Sequence, residues 1–299
     1  MTNPLSGFSL QRDKVQRRRV FPAWQRGSDL KKLAVFAALA SIAASVVVAS
    51  ASANHSWGKY HWARTSNPFT IDLGNNTTQP WGGMLSTASS DWSQSTVLDT
   101  RVVSSNKNRT TCDPTLGRVE VCNADYGNTG WLGVAQIWIY RGGSHIAQGT
   151  VELNDYYFGN SSYQYNNSAE QLHVICQEVG HTFGLDHQSE TGASLNTCMD
   201  YYHNTSSTDT QSTHPNQGDY DELLCIYDPT YAHKVLTSGG HKCRGTGHLD
   251  SFDSSGARVG SFPGPASSFA PGIQVAESKY VSHLADGSLL VTWITWANR

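Results

Sequence analysis

The sequence predicts an α+β fold, in which a five-stranded sheet combines with helices and is followed by a small C-terminal β-hairpin. Five short segments between residues 68 and 153 are apolar or alternate apolar with polar residues, which is typical of strands. Leu172, Ile175, Val179 and Phe183 then recur at helical spacing. Near the end, two apolar runs flank the turn sequence at 285–287, which is a strong hairpin signal.

The elements follow one another without internal repeats. The predicted strands are 68–73, 97–103, 118–122, 135–140 and 146–153, with a helix over 84–94 after the first. The central helix is predicted over 169–183, because Ser168 and Gln171 match a capping box and Gly184 suits a helix stop. A polar loop at 188–219 then leads to a short helix over 220–227, and the hairpin strands are 279–284 and 288–296.

The N-terminus has the pattern of an export signal. Residues 1–32 carry eight Lys and Arg, and the uncharged run 33–48 follows. Ala51 and Ala53 are the small residues that signal peptidase prefers, so cleavage is predicted after Ala53. An uncleaved membrane anchor is the alternative, although the run is slightly short and rich in Ala and Ser. We expect a secreted protein without stable membrane association after cleavage.

The net charge of the predicted mature chain limits which classes of partner are expected. Residues 54–299 hold 13 basic and 22 acidic residues, a net charge of −9, and no Lys/Arg cluster. Such a surface repels phosphate backbones, so nucleic acid is not an expected partner. We expect a monomer organised as a signal peptide (1–53), a main domain (54–235) and a Gly/Ser-rich linker with the hairpin (236–299). The hairpin could pack on the main domain or hold a partner, and packing is favoured because paired aromatic residues in strands are usually buried.

The six cysteines are even in number and lie after the predicted signal. In an exported chain they predict three disulfides, with fifteen possible connectivities. Their order along the chain favours 112–122, 176–198 and 225–243. None has the spacing of a structural zinc knuckle or a redox motif.

One face of the central helix predicts a metal site. Positions 177 and 181 lie one turn apart and project from the same face, as two ligands of one metal ion do. Glu178 is placed to act on water beside that ion without binding it. Gly184 allows a sharp turn, after which His187 can return as a further ligand.

Glu178, His181, Gly184 and His187 match the extended zinc motif of the metzincin metalloproteases, and the sequence over 68–228 resembles that family. Residues 198–201 (Cys-Met-Asp-Tyr) resemble its Met-turn, with Met199 as an apolar floor. More closely, residues 154–158 and 176–188 resemble secreted bacterial metalloprotease-like proteins. The resemblance implies a zincin-like catalytic domain, with a mixed five-stranded sheet, a zinc-site helix and bound Zn²⁺.

The departure from the family motif is Gln177, which stands where the first zinc histidine is expected. An amide oxygen is a weaker zinc ligand than imidazole, so Gln177, His181 and His187 are predicted to bind zinc with reduced affinity. Tyr201 stands where some metzincins have a tyrosine near the metal, which implies an extra ligand or an oxyanion donor.

Three other histidines are weaker candidates for the missing ligand. His173 is about 12 Å from His181 along the helix axis, too far to share an ion, and is predicted to be partly exposed. His203 and His214 lie in the polar loop, where sequence alone does not fix their distance from the site.

The motif predicts a secreted zinc endopeptidase that acts on a peptide or protein substrate. Glu178 is the expected general base and proton carrier, and strand 135–140 is the expected edge strand on which an extended substrate docks antiparallel. The alternative is an inactive metzincin-like scaffold that serves as a secreted binding or surface protein, because Gln177 replaces a histidine.

Overall fold

Segments that are apolar, or that alternate apolar with polar residues, form the strands of one mixed sheet. The computed structural model describes residues 55–232, Cys243, 273–276 and 278–297, and all of them belong to one compact unit. The predicted signal peptide, its cleavage site and most of the predicted linker lie outside these residues. Within the described residues, no helix is long and apolar enough to cross a membrane.

Every predicted strand and helix is present, together with three short elements that were not predicted, and the structure is α+β. The strands are β1 (His61–Trp62), β2 (Phe69–Asn76), β3 (Leu98–Ser104), β4 (Val119–Ala124), β5 (Trp131–Ile139), β6 (His145–Asn154), β7 (Ile273–Ala276), β8 (Lys279–His283) and β9 (Leu289–Trp296). The helices are α1 (Trp81–Trp92), α2 (Asp155–Phe158), α3 (Ser168–His181) and α4 (Gln217–Tyr227).

The sheet is larger than predicted, because the C-terminal hairpin belongs to it. The strand order is β3-β2-β4-β6-β5-β9-β8-β7, and the short β1 pairs with the start of β6. Strands β2, β3, β4 and β6 are parallel, whereas β5 runs antiparallel to both β6 and β9. The expected five-stranded sheet is therefore continued by β9, β8 and β7, and packing of the hairpin on the main domain is confirmed.

The predicted edge strand is wrong. Strand β5 is flanked by β6 on one side and by β9 on the other, with Val134 opposite both Glu152 and Ile294. All nine residues of β5 are buried. The C-terminal strand thus covers the side of β5 that was expected to be open to a substrate.

Helix α3 lies against β5, β6 and β9 and carries the residues of interest. Its N-cap is Asn167, whose side chain accepts hydrogen bonds from the backbone N–H groups of Ala169 and Glu170. The predicted cap, Ser168, is instead the first helical residue. Asn and Ser are nearly equivalent caps, so sequence alone does not choose between neighbours. Every residue of α3 from Val174 to His181 is buried.

The three disulfides have the predicted connectivity: Cys112–Cys122, Cys176–Cys198 and Cys225–Cys243. Disulfides persist in oxidising surroundings such as the extracellular space, so the structure fits such a compartment. The second of them ties α3 to the segment that contains Met199 and Tyr201. The main apolar core surrounds it and includes both cysteines.

Candidate metal site and its covering strand

The centre of the candidate site is a pair of histidines at the end of α3. His181 is the last residue of the helix, and Gly184 has a φ of 93°, a left-handed conformation that favours glycine. The chain reverses there and brings His187 back against His181. Their Nε2 atoms are 3.1 Å apart, and both side chains are buried. The structure thus joins the two histidines that the motif predicts as ligands.

The partners of the two Nδ1 atoms fix the tautomers. His181 Nδ1 is 2.9 Å from the Leu185 carbonyl oxygen, which can only accept, so this nitrogen carries the proton. His187 Nδ1 is 3.0 Å from Glu190 Oε1. The hydrogen bond from His187 holds the pKa of Glu190 at about 2, so Glu190 is an accepting carboxylate. In both rings Nε2 is left with its lone pair facing the other.

Two facing lone pairs require something positive between them. Burial, and next the proximity of His187, hold the pKa of His181 well below its usual value. Zinc–nitrogen bonds of 2.0–2.1 Å at a tetrahedral angle place two ligand nitrogens about 3.3 Å apart. The observed 3.1 Å is close to that value. A shared proton is the other arrangement that the geometry accepts.

Glu178 is buried on α3, three residues before His181, and meets β9. Its Oε1 is 2.6 Å from Thr295 Oγ1, and the backbone N–H groups of Ala135 in β5 and Thr295 in β9 also face the carboxyl group. Burial raises the pKa of Glu178 to about 8, although Thr295 opposes this. A Cβ on Gly133 of β5 would lie 2.7 Å from Glu178 Oε1, so the carboxyl group occupies space that only glycine leaves free.

Gln177 is held on both sides by other groups. Its Nε2 donates to the Asp200 carbonyl at 2.7 Å, and its Oε1 accepts from Thr295 Oγ1 at 2.5 Å. Thr295 has only one hydroxyl proton but contacts both Gln177 and Glu178. The hydroxyl can therefore donate to only one of these two oxygens at a time, and both are within hydrogen-bond distance of it. The amide oxygen is therefore engaged by β9.

Tyr201 forms hydrogen bonds with the backbone of β9. Its hydroxyl donates to the Ile294 carbonyl oxygen at 2.5 Å and accepts from the Trp296 backbone N–H at 3.2 Å. The Tyr201 ring also contacts the His187 ring, with centroids 4.8 Å apart. The predicted oxyanion donor is thus close to the histidine pair and already bonds a peptide carbonyl group.

Met199 lies under the helix, fully buried. A Cβ on Gly180 would stand 2.6 Å from the Met199 sulfur, so the glycine permits this close approach. The bond between Cys176 and Cys198 holds the same two segments together. The apolar residue of the predicted Met-turn therefore packs directly against α3.

The three weaker histidine candidates each bond a carboxylate. His173 is fully buried, not partly exposed as predicted, because Glu170 and the Asp200 carbonyl satisfy both ring nitrogens. His203 Nδ1 bonds the same Glu170 carboxylate at 2.6 Å. His214 Nδ1 bonds Asp91 at 2.6 Å. Each of the three is paired with a carboxylate, and His203 also lies near Tyr201, with ring centroids 6.3 Å apart.

The donor set fits zinc in part. Among the described residues, no group of three or more His, Cys, Asp or Glu side chains converges on one point. Two imidazoles with outer hydrogen bonds to a carbonyl and a carboxylate have the chemistry of zinc ligands. Among the described residues, the remaining candidates for a further ligand are the oxygens of Gln177 and Tyr201, beside water.

Sequence reasoning missed three residues at this site. Trp293 stacks on His181, Thr295 bonds Gln177 and Glu178, and Glu190 orients His187. The alternation of β9 places Trp293 and Thr295 on one face, so their shared orientation was readable once the strand was predicted. The sequence did not predict which surface this face contacts, because the contact is with residues more than 100 positions away.

An open cavity of about 530 Å³ adjoins the site. Glu190, Tyr201, Tyr202 and His203 are among its lining residues. Because Glu190 and Tyr201 both contact His187, the cavity begins next to the histidine pair. It has room for a side chain of a bound molecule.

Comparisons with protein families and with curated proteins found no match. The sequence matches no protein-family model, and a search of curated proteins finds no significant similarity.

Proposed function

We propose that the chain is a secreted zinc-dependent endopeptidase in which His181 and His187 bind the metal ion. The observation that carries this proposal is the 3.1 Å approach of the two Nε2 atoms, with both Nδ1 atoms committed to acceptors. A buried carboxyl group, that of Glu178, lies on the same helix as His181. Together they supply a cation site and a proton acceptor at one place.

The ligand set would be His181, His187 and an oxygen of Gln177, completed by water or Tyr201. Gln177 must exchange its hydrogen bond with Thr295 to turn its oxygen towards a metal ion. Glu190 and the Leu185 carbonyl keep both imidazoles in the tautomer that a metal needs. Because Gln177 supplies a neutral amide, we expect weaker zinc binding than three histidines give.

The chemistry that zinc supplies when bound is polarisation of the scissile carbonyl and a lowered pKa of a water molecule. Glu178 Oε2 would accept the proton of the attacking water and deliver it to the leaving amine. The Tyr201 hydroxyl would donate to the oxygen of the scissile carbonyl, as it now does to the carbonyl of Ile294. The substrate is a peptide or protein, taken up in extended form.

Metal analysis and peptide digestion test this proposal. We expect about one zinc per chain, and cleavage of a peptide library that stops on chelation and in Glu178→Gln. Asp209→Asn, which alters a carboxylate bonded to Tyr202 instead, is the control and should leave cleavage intact. A folded protein that binds no zinc, or cleavage that survives Glu178→Gln, would overturn the assignment.

Gln177→His examines the ligand assignment separately. A third imidazole should tighten zinc binding by roughly tenfold or more, as judged by competition with a chromogenic chelator. The variant is read by affinity, so it is informative even if neither protein cleaves a peptide. Equal or weaker binding in Gln177→His would show that position 177 does not face the metal.

The second candidate is a secreted binding protein without catalysis. It is favoured by one observation: Gln177 is saturated by Asp200 and Thr295, so no ligand is waiting at the first position. In that case the folded protein would lack zinc and would cleave no peptide. For either function we propose a monomer after signal cleavage, with no nucleic-acid partner because the mature chain is acidic.

A further inference from the structure

We propose that the C-terminal hairpin, residues 278–297, is a built-in inhibitor that occupies the peptide-binding cleft of its own chain. The inference rests on the proposed function, since it assigns the place of the substrate to β9. Strand β9 runs antiparallel to β5 from Trp131↔Trp296 to Ile139↔Leu289. Without it, the described residues would leave β5 as an edge strand with unpaired N–H and C=O groups.

The side chains of β9 that face α3 lie on the proposed machinery itself. The Trp293 ring is stacked on the His181 ring, with centroids 5.1 Å apart and planes 7° from parallel. Two residues along, Thr295 bonds both Gln177 and Glu178. Trp293 and Thr295 are both buried, so they exclude water and substrate from these groups.

The backbone of β9 also imitates a bound peptide. The Ile294 carbonyl accepts a hydrogen bond from the Tyr201 hydroxyl, which we assign to the scissile carbonyl of a substrate. The Ile294 N–H donates to the Ser278 carbonyl on the far side from β5. Extended backbone, pairing with β5 and a carbonyl on Tyr201 are the features that a substrate strand must have.

The start of β8 fastens the hairpin to the loop that carries His187. Ser278 Oγ donates to Glu190 Oε1 at 2.8 Å, the carboxylate that orients His187. Lys279 forms a salt bridge with Asp186 and lies over the Trp57 ring, 4.1 Å from its centroid. The hairpin is therefore attached both to α3, through β9, and to the loop that carries His187, through the start of β8. An extended peptide must displace it in order to bind β5.

A loosened hairpin should bind peptide better. Ile294 packs with Trp131 and Val134 on the face of β9 away from α3. The full-length double variant Lys279→Ala/Ile294→Ala removes this packing and the salt bridge but no proposed ligand. A fluorescent peptide with the sequence of residues 288–297 is the probe. If the cleft is open in about one molecule in a hundred, loosening raises apparent affinity by up to about a hundredfold.

A disulfide lock supplies the matched control. Gln136 and Thr292 are paired across β5 and β9, and their side chains touch at 3.1 Å, so Cys at both positions can bridge the strands. In the loosened background, the oxidised lock should abolish peptide binding and mild reduction should restore it. The loosened protein without the two new cysteines, given the same reductant, corrects for effects on the three native disulfides.

The outcomes separate the two proposals. Peptide binding that the lock controls, without any cleavage, supports the inhibitor and contradicts the peptidase. Cleavage that is equal in locked and reduced protein supports the peptidase and overturns the inhibitor. The inhibitor proposal is also overturned if the loosened protein keeps its near-ultraviolet circular dichroism but binds no peptide. It is overturned equally if the loosened protein folds only when the disulfide lock is oxidised, because β9 would then be a permanent strand of the fold.

Discussion

Trp293 lies flat on His181, with the ring planes 7° from parallel. This contact makes one of the nine tryptophans a reporter of the histidine pair. Addition of Cu²⁺, a quenching ion that imidazole binds, should lower tryptophan fluorescence, and Trp293→Phe should remove most of that change. Trp296→Phe, on the outer part of the same strand, should retain it. Equal quenching in all three proteins would place the metal away from His181.

Glu190 is expected to matter for metal affinity although it is not a proposed ligand. It accepts the Nδ1 proton of His187, and the loss of such an outer partner typically weakens metal binding about 10- to 100-fold. Glu190→Gln should show this loss in a zinc competition titration. Asp286→Asn in the hairpin turn is the control, and unchanged affinity in Glu190→Gln would argue against zinc at His187.

The Thr295 hydroxyl should stabilise the fold because it joins two buried side chains. Thr295→Val leaves Gln177 and Glu178 without this partner, which should lower the free energy of unfolding by about 1–3 kcal/mol. Thr295→Ser keeps the hydroxyl and should lose much less. Urea denaturation measures both variants. If they are equally stable, the hydroxyl contributes nothing.

Gly133 should not tolerate a side chain. A Cβ there would lie 2.6 Å from Val174 Cγ1 and 2.7 Å from Glu178 Oε1, so α3 or β5 must move. We expect Gly133→Ala to lower the free energy of unfolding by about 1–3 kcal/mol. Gly83 in α1 has only Gln79 near its own added Cβ, at 3.9 Å. Gly83→Ala should therefore be neutral or stabilising in the same thermal or urea experiment, because alanine favours helices.

The buried Glu170 cluster should weaken the fold in acid. Burial alone would raise the pKa of Glu170, but hydrogen bonds and charge from His173 and His203 lower it to about 2, from 4.5. The carboxylate therefore contributes stability above pH 4.5, and this contribution is lost as pH falls from about 4.5 to 2. Urea denaturation across that range should show a steeper loss for the native protein than for Glu170→Gln. Parallel curves would contradict the assigned shift.

Local patterns predicted the local structure well. The spacing of Leu172, Ile175, Val179 and Phe183 predicted α3, and the turn at 285–287 predicted the hairpin. Gly184 was predicted as a helix stop and does have a left-handed φ. Each of these features depends on interactions within a few residues, so the sequence around it is sufficient.

The partner of β5 could not be predicted in the same way. Both faces of β5 and β9 are largely apolar, so neither strand carries an alternation that specifies its neighbour. Their pairing joins residues separated by about 150 positions or more. The exposure of His173 was wrong for a similar reason: its burial depends on the Asp200 carbonyl, which lies beyond the turn at Gly184.

The bond between Cys176 and Cys198 has a consequence for when the site can form. These cysteines are 22 positions apart, and the segment between them contains Gln177, Glu178, His181 and His187. All proposed ligands except Tyr201 therefore lie in one covalent ring. A reduced chain would hold the histidine pair by noncovalent contacts alone, so metal uptake at the proposed site would depend on prior oxidation of the two cysteines. Such a dependence would delay the proposed activity until the chain is in oxidising surroundings.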